Sequence, residues 1–310
     1  MKKTKKALAL ILTGMMAASM TACGSGKTAE TTQAAADTTT AESADGTKAE
    51  ASADGTSYKV GICQLVQHVA LDAATEGFKD ALTEALGDQV TFDEQNAQGD
   101  SNTCSTIINN FVAEDVDLIL ANATPALQAA QAGTDTIPIL GTAVTEYGVA
   151  LGIDDFNGTV GGNISGTADL APLDEQAAML KELFPDAKNV GLLYCSAEAN
   201  SQYQVDTVKA ELEKLGYTCE YYAFSDSNDL ATIVTNAANS SDVIYIPTDN
   251  TAAANTEIIN NICQPAGVPI IAGEEGICSG CGVATLSISY YDLGVATGKM
   301  AAKILTGESN

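Results

Sequence analysis

From Tyr58 onward, short runs of consecutive apolar residues alternate with longer segments whose apolar positions recur every three or four residues. The first pattern predicts strands buried on both faces and the second predicts amphipathic helices. Tyr58 to Cys63 is the first predicted strand, followed by a loop, Gln64 to Ala70, that holds Gln67 and His68. Leu71 to Leu86 reads as a helix with Leu71, Ala74, Phe78 and Leu82 on one stripe. A strand at Val90 to Gln95 and a helix at Ser101 to Ala113 come next, then strand 117–121, helix 125–132 and strand 137–140. Segment 142–173 breaks the pattern: it contains six glycines and no long apolar run, and reads as a crossover. Alternation resumes with helix 174–184, strand 189–194, helix 201–215, strand 218–224, helix 228–239, strand 242–246, helix 251–265 and strand 268–271. Val283 to Ser289 is expected to be a last strand returning to the first half, with a closing helix at Leu293 to Leu305. Strands alternating with helices imply βαβ units and parallel sheets.

The second half echoes the first. Lys59-Val-Gly-Ile-Cys63 matches Asn189-Val-Gly-Leu-Leu193, Asp100-Ser-Asn102 matches Asp226-Ser-Asn228, and Ile137-Pro-Ile-Leu140 matches Val268-Pro-Ile-Ile271. The offsets run from about 125 to about 131 residues, far beyond the period of a repeat array. They predict an α/β fold of two similar, doubly wound parallel-sheet lobes joined by a hinge: residues 58–163 with 289–310 returning to them, and residues 164–288. Asp117 and Asp242 open equivalent strands, which places Thr124 and Asp249 at equivalent strand ends, each just before a helix. Ligands of open parallel sheets bind at such ends.

Before Tyr58 the chain reads differently. Lys2, Lys3, Lys5 and Lys6 precede an apolar stretch, Ala7 to Met20, of signal-peptide length. It closes on Met20-Thr-Ala-Cys23, which resembles a lipobox and makes Cys23 the expected lipidation site at the end of a leader, residues 1–23. Residues 24–57 carry almost no apolar side chain larger than alanine and are expected to be a disordered tether.

A net charge of −26 argues against nucleic acid as a partner. All fourteen basic residues are lysine, so no guanidinium fork is available for phosphate or a dicarboxylate. With one histidine, His68, and a single CxxC, Cys278 to Cys281, no metal site and no cofactor is expected. The seven cysteines after Cys23 are an odd set, and most lie in apolar runs as small hydrophobes.

Several motifs in order then resemble one family: His68-Val-Ala-Leu-Asp72, Asn96-Ala-Gln-Gly-Asp100, Ala123-Thr-Pro125, Thr142-Ala-Val144, Pro247-Thr-Asp-Asn250, Ala272-Gly-Glu-Glu275 and Gly298-Lys-Met-Ala-Ala-Lys303. Together they are similar to substrate-binding lipoproteins of ABC importers associated with tryptophan and tyrosine. The resemblance implies the type 1 periplasmic-binding-protein fold and no enzymatic activity. It further implies a hydrophobic or aromatic amino acid as ligand, ABC permease subunits as partners, and a monomer held to the extracytoplasmic face of the cell membrane by its lipid. It also implies a further segment after the closing helix, recrossing the hinge; the sequence ends at Asn310.

For such a ligand, Asp249 is the expected ammonium acceptor. Thr124 and the N–H groups after Pro125, beginning with Ala126, suit the carboxylate. Ser196, Asn200 and Ser201 could add hydrogen bonds from the second lobe, Glu274 could assist, and Thr142, Asp169 and His68 complete the candidates. Each has a plainer reading. Asp249, Thr124 and Glu274 also fit as helix or turn caps, Asp169 as support for a glycine-rich backbone, and His68, Ser196 and Asn200 as loop polarity. Tyr194, Tyr290 and Tyr291 fit a side-chain pocket or the core. Two other functions remain open: the same fold binding a sugar or nucleoside, and a two-base amino-acid racemase using Cys63 and Cys195. Against the racemase, the repeat pairs Cys63 with Leu193, not Cys195.

Overall fold

The computed structural model describes residues 56–308. The leader, Cys23 and nearly all of the tether lie outside them.

Two five-stranded parallel sheets account for the strands among the described residues. In the first, β1 (Tyr58–Gln64), β2 (Val90–Asn96), β3 (Leu118–Asn122), β4 (Ile139–Val144) and β5 (Ile164–Ala168) run in the order β2-β1-β3-β4-β5. In the second, β6 (Asn189–Cys195), β7 (Thr218–Phe224), β8 (Val243–Ile246), β9 (Ile270–Ala272) and β10 (Ala284–Thr285) run β10-β9-β8-β6-β7. Counted within its own lobe, each sheet has the same order. β3 and β8 are buried along their whole length, as central strands covered on both faces must be.

The sequence echo has a physical basis in how these strands start. The Asp117 carboxylate accepts from the Lys59 N–H at 2.7 Å, and Asp242 accepts from Asn189 N–H at 2.8 Å and Lys188 N–H at 2.9 Å. Each aspartate fixes the entry of its lobe's first strand. The carbonyls of Pro138 and Pro269, just ahead of β4 and β9, bond Ile119 and Ile244 at the same point in each lobe.

Eleven α-helices flank the sheets among the described residues: α1 (Val69–Leu86), α2 (Ser101–Ala113), α3 (Thr124–Gly133), α4 (Tyr147–Leu151), α5 (Leu173–Leu183), α6 (Ala199–Lys214), α7 (Ser227–Ser240), α8 (Asn250–Ala253), α9 (Thr256–Ala266), α10 (Glu275–Cys281) and α11 (Tyr290–Leu305). Asp100 and Asp226 cap α2 and α7 through Thr103 N–H and Asn228 N–H, both at 2.7 Å. α11 returns to the first lobe and lies along α1.

Three expectations need correction. The segment after Thr142 is not a plain crossover: it contains α4 and β5, and β5 pairs with β4, so the lobe boundary falls after Ala168 rather than after residue 163. An edge strand with one buried residue in five carries little apolar signal. Second, Val283 to Ser289 does not return to the first lobe as a strand. Only Ala284–Thr285 is a strand, and it pairs with β9 in the second sheet. Third, the helix expected over 251–265 is two helices, α8 and α9, broken at Ala254 and Asn255.

Candidate functional site

In both sheets the order reverses between the first and third strands, and the crevice beyond their carboxyl ends is where such sheets hold ligands. Here the two crevices face each other. Beyond β1 the chain runs to His68, which begins α1; beyond β8 it runs through Thr248 and Asp249 into α8. His68 Nε2 lies 3.2 Å from Asn250 Oδ1, and Gln204 of α6 donates to Thr145 Oγ1 of the first lobe at 3.2 Å. Between the lobes lies a space of about 170 Å³ bordered by Leu65, Pro125, Cys195, Glu198, Asn250 and Thr251. Next to it a space of about 10 Å³ is enclosed by His68, Leu71, Asp169, Asp249, Glu274 and Tyr290, and Asn250 borders both. A larger open groove, about 820 Å³, lies at the other end of the first lobe by the amino ends of β4 and β5, the wrong end for this architecture.

The cleft holds four buried carboxylates: Asp169, Glu198, Asp249 and Glu274. No lysine borders either space. Asp249 accepts from Ala252 N–H at 2.8 Å through one oxygen and from Cys195 N–H at 2.6 Å through the other. It thus caps α8 and ties that helix to the end of β6. Burial, and then the charge of Glu198, push its carboxyl up to about 8, against the pull of these bonds and of the Ser201 hydroxyl. Glu198 is bonded on both oxygens, by Asn250 N–H at 3.0 Å and Nδ2 at 2.7 Å, Thr251 N–H at 2.9 Å and Oγ1 at 2.8 Å, and Asn200 Nδ2 at 3.3 Å. Glu274 caps α10 through Gly276 N–H at 2.5 Å and Ile277 N–H, and burial raises its carboxyl. Asp169 accepts from the Tyr290 hydroxyl at 2.8 Å, and burial raises it too. Burial holds His68 below the usual imidazole range, opposed by Asn250, Glu198 and Asp72.

Of the expected residues, Asp249, Glu274, Asp169 and His68 border the smaller space, while Asn200 and Ser201 are buried in the wall behind it, Asn200 donating to Glu198 and to the Thr248 carbonyl and Ser201 lying against Asp249. Thr124 is buried at the first position of α3, whose Pro125 borders the larger space. Ala126 packs its methyl into the first-lobe core, leaving only its backbone at that helix end. Two candidates do not reach the cleft. Ser196 is exposed and bonds the Phe224 carbonyl at 3.1 Å. Thr142 belongs to a cluster of hydroxyls with Thr167 and Thr297 of α11, at 3.3 Å from each. Of the tyrosines, only Tyr290 borders the cleft; Tyr194 stacks edge-on against Tyr221 and Tyr291 bonds Asp80. Cys63 is sealed in the first-lobe core beside Cys104, while Cys195 borders the larger space with its thiol pushed up to about 12 by burial. Two facing thiol bases are therefore not present.

Glu198 and Gln204 were not singled out by sequence. Glu198 stands in the loop between β6 and α6 that the polar Ser196 and Asn200 already marked, but its partners lie more than fifty residues away. Glu198→Ala is expected to destabilise the protein by about 2–4 kcal/mol, because buried donors at the start of α8 lose their acceptor. Urea denaturation of the two proteins measures it.

Residues 59–310 match the family described as ABC transporter substrate binding protein. A tyrosine-binding protein of Clostridioides difficile is 35% identical over 317 residues, covering 100% of this chain and 86% of that one. A Streptococcus pneumoniae ABC domain solved in complex with L-Trp superposes with a TM-score of 0.78 at 35% identity, over 81% of this chain and 86% of that one. The ligand-free, open structure of a Clostridium difficile substrate binding protein with adhesive properties gives a TM-score of 0.60 at 39% identity over the same shares. The fold is that of type 1 periplasmic binding proteins, and the chain belongs to the ABC transporter substrate binding protein family.

Proposed function

We propose that this chain is the extracytoplasmic, lipid-anchored binding component of an ABC importer and that it carries an aromatic α-amino acid in the cleft between its lobes. The observation that carries this reading is the set of four buried carboxylates in a cleft bordered by no lysine, in a chain without arginine. Buried carboxylates of one sign are relieved either by a proton or by a counter-charge, and an amino acid's ammonium supplies the second. The ligand's carboxylate is assigned to the first turn of α3, where the N–H groups of Thr124 and Ala126 have no partner within the helix and the helix dipole favours an anion. Leu65, Val66 and Pro125 give the larger space an apolar wall for the side chain. The tyrosine-binding and L-Trp-bound relatives favour an aromatic one.

The anchor is assigned to Cys23 at the end of Met20-Thr-Ala-Cys23, with the polar segment that follows as tether. Closure of the lobes is the signal read by the permease subunits.

Calorimetric titration with tyrosine, tryptophan, phenylalanine, glutamate, a sugar and a nucleoside tests the ligand class. At least one aromatic amino acid is expected to bind ten times or more tightly than glutamate, about 1.4 kcal/mol. Tighter binding of glutamate, the sugar or the nucleoside would refute the reading.

A further inference from the structure

The four cleft carboxylates are not equivalent. Asp249, Glu198 and Glu274 each have both oxygens engaged by backbone N–H groups at the starts of second-lobe helices or by the end of β6. Each of these oxygens already has a donor, and the bonds join α8, α10 and β6. Asp169 is different. Its Oδ2 accepts from the Tyr290 hydroxyl at 2.8 Å, while its Oδ1 is buried with no donor within hydrogen-bond distance, although the Thr145 hydroxyl lies close enough to the carboxylate to favour its charged form. The residue is only 4% exposed and borders the small enclosed space between the lobes. An unpaired carboxylate oxygen shut away from water is costly unless a donor reaches it.

Its place in the chain adds a second argument. Asp169 follows the last residue of β5, its N–H bonds the Val144 carbonyl at 3.2 Å, and the chain then crosses to the second lobe. It therefore moves with the first lobe and the hinge, while Asp249 and Glu274 move with the second. A donor placed on Oδ1 touches both lobes only when they close.

We propose that Asp169 Oδ1 is the acceptor for the ligand's primary ammonium group, with Tyr290 as the residue that positions it, and that Asp249 and Glu274 build the wall of the site. This assignment rests on the amino-acid reading of the cleft. Burial favours the protonated form of Asp169, and a bound ammonium supplies in its place the positive charge that the carboxylate lacks.

The test uses the full-length chain and two ligand pairs: tyrosine with 3-(4-hydroxyphenyl)propionate, and tryptophan with 3-indolepropionate. Each pair differs only in the ammonium group. Wild type is expected to prefer the amino acid of the pair it binds. In Asp169→Asn the amino acid is expected to lose about 30-fold or more in affinity, as when one partner of a buried charge pair is neutralised, while the desamino compound changes little. The preference should collapse. Tyr290→Phe keeps the carboxylate but frees its orientation, and is expected to narrow the preference severalfold without abolishing it. If Asp169→Asn fails to fold, the Tyr290→Phe preference decides, and an unchanged preference there overturns the assignment. It is likewise overturned if Asp169→Asn keeps the wild-type preference, or if Asp249→Asn loses it instead. If phenylalanine alone binds, phenylalanine with 3-phenylpropionate serves as the pair; should wild type bind none of the three aromatic amino acids, the function reading itself falls and takes this assignment with it.

Discussion

Gly294→Val is expected to destabilise the protein by about 3 kcal/mol, at the upper end of what overpacking a tight contact costs. A Cβ at Gly294 would stand 2.0 Å from the Ala74 carbonyl oxygen, and one at Gly77 would stand 2.2 Å from the Tyr291 carbonyl. Further along the same seam, a Cβ at Gly298 would come within 2.5 Å of the Phe78 carbonyl. α1 and α11 therefore touch backbone to backbone, and the obstructing atoms are main-chain oxygens that no rotamer change can move. The damage reaches the site, because α11 begins with Tyr290, whose hydroxyl holds Asp169, and carries Thr297, which bonds Thr142 and Thr167. A weakened α11 should lower both melting temperature and ligand affinity. At about 2–4 °C per kcal/mol for a chain of this size, the melting temperature should fall by roughly 6–12 °C. Ala296→Val, on the exposed face of the same helix, adds two of the same three carbons on the solvent side, and should cost only the small helix propensity of valine, about 0.5 kcal/mol. Equal effects for the two substitutions would show that the seam is looser than these distances imply.

The repeat was legible because it is written in residues with local backbone duties. Asp117 and Asp242 bind the first strand of each lobe, Pro138 and Pro269 precede equivalent strands, and Asp100 and Asp226 cap equivalent helices. Each leaves a short, recognisable string. β5 left none. Gly166, at φ 151°, lets its backbone lie where a Cβ would be 2.2 Å from the Gly141 carbonyl, so β5 pairs through glycine rather than through an apolar face. The same asymmetry runs through the site. That Asp249 sits at a strand end and a helix start was readable from the run Val243 to Asn250. That its second oxygen is taken by Cys195 N–H, fifty-four residues away, was not. Nor could sequence separate the engaged oxygens of Glu274 from the unpaired one of Asp169, because hydrogen-bond supply is a property of the assembled cleft.

Asp249→Asn is expected to destabilise the protein at pH about 5 and to do so progressively less as pH rises toward 8. Two effects of opposite sign compete. An asparagine must point its amide NH₂ at either Cys195 N–H or Ala252 N–H, so one donor now faces another; a buried group left unsatisfied costs about 1–3 kcal/mol. The other effect is the wild type's own titration. An unfolded aspartate titrates near 3.9, whereas burial and Glu198 push Asp249 up to about 8 in the fold. Between these values the folded protein binds the extra proton, so wild-type stability falls with rising pH, by at most about 1.4 kcal/mol per unit from this group. Asparagine does not titrate and has no such slope. Asp169 and Glu274, raised by burial in the same direction, act equally in both proteins and largely cancel from the difference. Allowing for relief of burial when the lobes part, the gap between wild type and variant should shrink by about 2 kcal/mol from pH 5 to pH 8. Urea denaturation of both proteins across that range measures the gap directly. Parallel curves would mean that the N–H groups of Cys195 and Ala252 hold Asp249 ionised throughout, and that the cleft carries its full negative charge before any ligand arrives.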